Sequence, residues 1–301
     1  MYENYYSMSE KPFDLTPDTD FYFQSMTHQQ ALNVLLVAIK SGDGFIKLTG
    51  EVGTGKTLLC RKLLELLDEH YQTVYIPNPY MSCDALLKAV VEEMGLLDSL
   101  VDNNYLSVIN QQLIANAKLQ LRTVILLDEA QSLPLESLEA IRLLSNLETE
   151  KQKLVQIILF GQPELDNKLS DNSIRQLKQR IVHACHLQTF DVDVLAEYIV
   201  HRLKAAGYYG AKLFSDSAIK QLYFYSKGVP RLVNLISHKS LMLAYASGDF
   251  YVSEKHIKEA SEDCQHNSRP VKTRFKTAAS YSAILVLVLF VEYFNSIIDV
   301  I

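Results

Sequence analysis

Gly50, Glu51, Val52, Gly53, Thr54, Gly55, Lys56 and Thr57 follow one another in the spacing G-x-x-x-x-G-K-T. Each residue type has a task that a polyphosphate would set. Glycines let successive backbone N–H groups turn inward around phosphate oxygens. Lys56 can reach the outer phosphates, and the Thr57 hydroxyl can ligate Mg²⁺. A helix opening here, through Leu58, would present its positive N-terminus to the same anion. Gly50 to Leu58 is therefore the candidate nucleotide-binding segment, with ATP and Mg²⁺ as its expected ligands.

A second reactive group, Asp128 and Glu129, closes the run TVILLDEA, some seventy residues on. One acid at a strand end is commonplace. Two adjacent acids after an apolar run, in a chain that also carries a phosphate loop, point to phosphoryl chemistry. Asp128 would hold the Mg²⁺ shell, and Glu129 would polarise an attacking water. That division of labour needs the carboxyl end of the acid-bearing strand to lie beside the glycine loop.

The elements that must position these groups are legible as apolar patterns. GFIKLTG (Gly44–Gly50) reads as a strand feeding the loop, and Leu58–Tyr71 as the helix after it. Thr73–Pro79 is a strand stopped by Pro77 and Pro79. CDALLKAVVEEMGL and YLSVINQQLIANAKLQ are amphipathic helices. Thr123–Ala130 and Leu154–Gln162 are continuous apolar strands, with the helix ESLEAIRLLSNLETE between them. Such strands, separated by helices, predict an α/β domain over residues 1–190, its parallel sheet covered on both faces. From about Phe190 only helical spacing continues. Asp191 and Ser215 stand at N-cap positions, so residues 191–264 read as a small helical domain.

A polar, basic linker is expected over 265–279. Beyond it, Ser280–Ile298 is apolar and long enough to cross a bilayer core as a transmembrane helix. Arg269, Lys272, Arg274 and Lys276 precede it without an acid among them. By charge asymmetry this flank stays in the cytoplasm, against an anionic membrane surface. Glu292 lies toward the far end of the segment, where a carboxylate costs least. The alternative is a buried or partner-binding helix. The net charge of −6 argues against a protein coated for nucleic acid. The four cysteines form no C-x-x-C pair and suggest neither a zinc site nor a disulfide framework. His183 and His186 would point to opposite faces if their segment is extended, which argues against a metal pair.

Beyond these readings, KPFDLTPDTDFYF, HQQAL, GEVGTGKTLLCRKLL, LLDEAQSLPLESLEAIRLLSNLETE, LFGQPEL, RQLKQRI and KGVPRLVN occur in that order. Together they resemble the ExeA/general-secretion-pathway-A family of AAA+ ATPases, and within it the branch that serves MSHA-type type IV pili. The resemblance covers nearly the whole chain before residue 265. It implies a P-loop NTPase with a three-layer αβα domain, a helical lid and a membrane anchor. It also implies an ATPase that forms a homo-oligomer such as a ring and serves pilus or type II secretion assembly proteins at the inner membrane. A nucleic-acid-associated AAA+ switch, like the transposition helper ATPases, is the alternative. Residue by residue, Gln162 takes the sensor-1 position, although Asn or Thr is more usual there. Arg180 resembles the arginine finger, with Arg175 as the competing choice, and Arg231 resembles sensor 2. Pro12, Phe13 and His28–Gln30 resemble the segment that packs on adenine.

Overall fold

Strands β1 (Phe45–Gly50), β2 (Tyr71–Ile76), β3 (Arg122–Leu127), β4 (Val155–Gly161) and β5 (Ile181–Leu187) form one sheet in the order β2-β3-β4-β1-β5. Every pairing is parallel. The computed structural model describes residues 2–97, 104–149 and 153–268. The helices are α1 (Tyr2–Tyr5), α2 (Met26–Ser41), α3 (Lys56–Leu66), α4 (Cys83–Glu93), α5 (Tyr105–Lys118), α6 (Leu135–Leu144), α7 (Glu164–Lys168) and α8 (Arg175–Lys178). After β5 come α9 (Val192–Ala205), α10 (Asp216–Ser226), α11 (Pro230–Ser247) and α12 (Glu254–Ser268). The chain divides into two compact units, Met1–Ala260 and Ser261–Ile301.

Side chains alternate between sheet faces, so each continuous apolar strand feeds two cores. Ile46, Leu48, Val124, Leu126, Ile158 and Phe160 pack with Leu35 and Ile39 of α2 and Leu59 and Leu63 of α3. On the other face Phe45, Val74, Ile125, Leu127, Ile157 and Leu159 pack with Leu86 and Val90 of α4, Ile109 of α5 and Leu138 of α6. All seven residues of β4 are buried. The functional strand ends are therefore held by central strands covered on both faces.

The helix starts follow their caps. The Asp191 carboxylate accepts from the Val194 N–H at 2.8 Å, and the Ser215 hydroxyl from the Ala218 N–H at 3.1 Å. Each such cap supports its helix by about 1 kcal/mol.

The structure differs from the sequence expectation in three places. The helix read to Tyr71 ends at Leu66. There the Asp68 carboxylate accepts the His70 N–H at 3.0 Å, and its carbonyl accepts the Tyr71 N–H at 3.0 Å, so a turn forms and β2 starts early. The segment with His183 and His186 is a fifth strand, β5, which pairs along β1. It sits at the sheet edge, alternates in burial, and lacks the continuous apolar run of an interior strand. The acid-bearing β3 brings its end beside the glycine loop as expected, with β4 lying between it and β1. Finally, α12 runs to Ser268, into the expected linker. Among the described residues no helix is long and apolar enough to cross a membrane. The expected span at 280–298 lies outside the described residues.

Candidate nucleotide site

The glycine loop joins the end of β1 to the first turn of α3. Gly53 has φ +81° and Gly55 φ +98°, in the left-handed region where a side chain is strained. Space also demands glycine. A Cβ on Gly53 would lie 2.6 Å from the Arg231 Cβ, and one on Gly55 would lie 2.9 Å from His28 Nε2. Lys56 is buried, and its ammonium donates to the carbonyls of Gly50 at 2.7 Å and Glu51 at 2.8 Å. Burial pulls the Lys56 pKa below its ordinary value, against the opposing pull of Glu129, Asp128, Glu51 and Glu164. The Thr54 hydroxyl ties back to the Glu51 carbonyl at 2.9 Å, which closes the loop on itself.

The acids meet this loop although their strand is not next to β1. The Thr57 hydroxyl donates to Asp128 Oδ2 at 2.6 Å, while Asp128 Oδ1 accepts the Glu129 N–H at 2.9 Å. Asp128 is buried, and burial raises its carboxyl pKa. The Thr57 and Glu129 hydrogen bonds and Lys56 pull it the other way. A hydroxyl and a carboxylate in direct contact, both hard oxygen donors, suit Mg²⁺, which takes few protein ligands and completes its shell with water and phosphate. Thr57 and Asp128 thus fit the metal role read from the sequence.

Glu129 has φ +53°, a conformation that costs a non-glycine residue about 1–3 kcal/mol. Its carboxylate is held by two side-chain amides. Gln162 Nε2 donates to Oε2 at 3.0 Å, and Gln131 Nε2 donates to the same oxygen at 2.5 Å. Gln131 Oε1 in turn accepts the Gln162 N–H at 3.0 Å. Gln162 therefore stands beside Glu129, at the end of the strand between the loop and the acids. Gln131 was not singled out in the sequence. The signal was its place two residues after Glu129, in a turn that folds the chain back.

Arg231 begins α11 behind Pro230. Its N–H donates to the Gly53 carbonyl at 3.2 Å, which puts the helical segment directly on the loop. The adenine expectation needs correction. His28 is buried, with Nδ1 bonded to the Ser25 hydroxyl at 2.7 Å and Nε2 to the Thr54 carbonyl at 3.0 Å. It braces the loop from behind and presents no face to a base, while Gln29 and Gln30 are exposed. Phe13 is buried edge-on to Phe214, with ring centroids 5.9 Å apart, and the Pro12 carbonyl accepts from Arg202 Nε at 2.5 Å. Both are committed to packing the N-terminal segment against α9 and the chain that follows it.

Arg180 lies at the opposite end of the strands from the loop. The next residue, Ile181, pairs with Phe45 at the start of β1, whereas the loop leaves the end of β1. About 20 Å of strand separates Arg180 from the loop of its own chain. Arg180 Nη1 donates to the Ser145 hydroxyl at 3.0 Å, and Arg175 is exposed on α8. Neither arginine joins the site in its own chain. The two histidines of β5 also part company. His183 Nε2 pairs with Asp43 at 2.8 Å and His186 Nδ1 with the Thr49 hydroxyl at 3.1 Å.

Comparison with known proteins agrees with this geometry. Residues 39–169 match the family model described as AAA domain. General secretion pathway protein A of Aeromonas hydrophila is 39% identical over 255 residues, covering 82% of this chain and 46% of that protein. The chain thus spans about half the length of this relative. Among solved structures, Cdc6p of Pyrobaculum aerophilum superposes with a TM-score of 0.64 at 19% identity, covering 82% of this chain and 71% of its own. The ORC2 protein of Aeropyrum pernix gives 0.60 at 16% identity, with 85% and 73% covered. At these identities the structures bear on the fold alone. The glycine loop, the paired acids and the family match have one conclusion in common: the chain carries a P-loop AAA domain over residues 39–169 and is related to general secretion pathway protein A.

Proposed function

We propose that this chain hydrolyses ATP at the inner membrane and uses the cycle to support assembly of a type IV pilus of the MSHA type or a type II secretion machine. The observation that carries the catalytic part is the contact of Thr57, Asp128 and Glu129 around the glycine loop, with Gln162 on the Glu129 carboxylate. Glu129 takes a proton from water as its oxygen attacks the γ-phosphorus, and ADP leaves on the far side. Lys56 exchanges the Gly50 and Glu51 carbonyls for phosphate oxygens and balances the charge that develops there. Thr57 and Asp128 hold Mg²⁺, which neutralises the phosphates when bound. Gln162 orients the water or reads the γ-phosphate. Arg231, anchored on Gly53, carries the state of the nucleotide to a helical lid formed by α9 to α12. An arginine from a second copy, Arg180 or Arg175, completes the site, consistent with its distance from the loop of its own chain.

The relative's name and the apolar segment at 280–298 support the envelope role. The test is crosslinking in cells of a Glu129→Gln variant, with partners identified by mass spectrometry. Recovery of inner-membrane pilus or secretion components supports the proposal. Recovery of DNA-bound proteins without envelope partners overturns it in favour of a nucleic-acid switch.

A further inference from the structure

Gln131 occupies a seat built for its amide. The pairing of β3 with β4 ends at Leu127 and Leu159, so no ladder bond reaches Glu129 or Gln162. The turn Ala130–Ser132 reverses the chain there. It is closed by the Ser132 N–H on the Glu129 carbonyl at 2.8 Å and held by buried Ala130 and Leu133. This brings the Gln131 side chain back between the two strand ends. Gly161 leaves the room, since a Cβ there would lie 3.3 Å from Gln131 Oε1.

The amide can sit only one way round. Its carbonyl faces the Gln162 N–H, and its NH₂ faces Glu129 Oε2. Turned over, it would set a donor against a donor and an acceptor against a carboxylate. Gln162 differs in kind. Its side-chain amide also holds Oε2, but in the proposed function the same group turns toward the γ-phosphate. When it turns, Glu129 keeps Gln131 as its donor.

We infer that Gln131 is a positioning residue for hydrolysis, which holds the Glu129 carboxylate by Oε2, with Oε1 toward the attacking water, while Gln162 engages nucleotide. The inference rests on Glu129 being the base. Its side chain has three rotatable bonds and its backbone is strained, so an unheld carboxylate would spend little time aimed at water.

The test uses the full chain with Gln131→Met, which keeps length and loses both hydrogen bonds, and Gln131→Ala. Steady-state ATP hydrolysis, binding of a non-hydrolysable ATP analogue and thermal melting are measured for each. The expected result is a fall in kcat of about tenfold to a hundredfold, with analogue affinity within about twofold of wild type, as expected when ground-state binding is untouched. In a Glu129→Gln background, Gln131→Met should lower the residual kcat no further, because the one reacting side chain that the Gln131 amide holds is Glu129. A structural role would instead lower analogue affinity and melting temperature together, and would act in either background. If both Gln131 variants turn over at the wild-type rate while Glu129→Gln is inactive, the inference about Gln131 fails alone. If Glu129→Gln itself turns over at the wild-type rate, the assignment of the base fails first.

Discussion

Replacing His28 separates two roles for the same side chain. In the structure its Nε2–H donates to the Thr54 carbonyl at 3.0 Å, inside the glycine loop, and its ring fills the space against Gly55. His28→Ala leaves that buried carbonyl without a partner, which costs about 1–3 kcal/mol. The gap left by the ring adds about 1 kcal/mol or more. Ser25 suffers less, since its hydroxyl also contacts Thr27 at 3.1 Å. The sum is about 2–4 kcal/mol, which for a domain of this size lowers the melting temperature by about 4–16 °C. Two further variants carry the discrimination. In His28→Gln the amide nitrogen stands the same number of bonds from Cα and can still donate to Thr54. In His28→Phe the aromatic face remains and the donor is lost. Melting by circular dichroism and ATP-analogue affinity by calorimetry should both rank wild type, then Gln, then Phe together with Ala. A base-stacking role predicts the reverse, with Phe close to wild type and Gln impaired. That order would refute the bracing argument.

Gly53→Ala should weaken nucleotide binding without unfolding the sheet. The left-handed φ costs alanine about 1–2 kcal/mol, and the new methyl meets the Arg231 Cβ at the start of α11. Unchanged affinity in a calorimetric titration would count against the contact between loop and helical segment. Stability should fall as pH drops below about 6.5. Burial lowers the pKa values of His28, His201 and His238, so below that pH the unfolded chain takes up protons that the folded one resists. The stabilising contribution is complete above the unfolded value and is lost on acidification. Asp128, with its pKa raised by burial, works in the opposite sense nearer its ordinary 3.8. A melting temperature that stayed flat between pH 7.5 and 5.5 would contradict this linkage. Arg180→Ala should lose ATPase activity and regain it when mixed with Glu129→Gln subunits that keep Arg180. If only Arg175→Ala behaves in this way, the role passes to Arg175, and if neither is rescued neither of these two arginines acts between copies.

The local chemistry was written in the chain. Gly50 to Thr57, the acids closing TVILLDEA, the apolar strands and the capped helices depend on neighbours a few residues away, and there amide spacing and side-chain period are enough. Tertiary structure decided which strand ends meet. β4 lies between the strand that feeds the glycine loop and the strand that ends in the acids, and this puts Gln162 beside Glu129 and gives Gln131 two strand ends to bridge. β5 joined the sheet as an edge strand whose apolar run is broken by His183 and His186. His28 reached the loop because α2 packs beneath it, and Arg231 because α11 starts on Gly53. Arg180 was carried to the far end of the strands by the parallel direction of β5. A side chain's type limits the chemistry it can do. Its role depends on partners that lie tens to hundreds of residues away, and only the packing of the whole sheet chooses them.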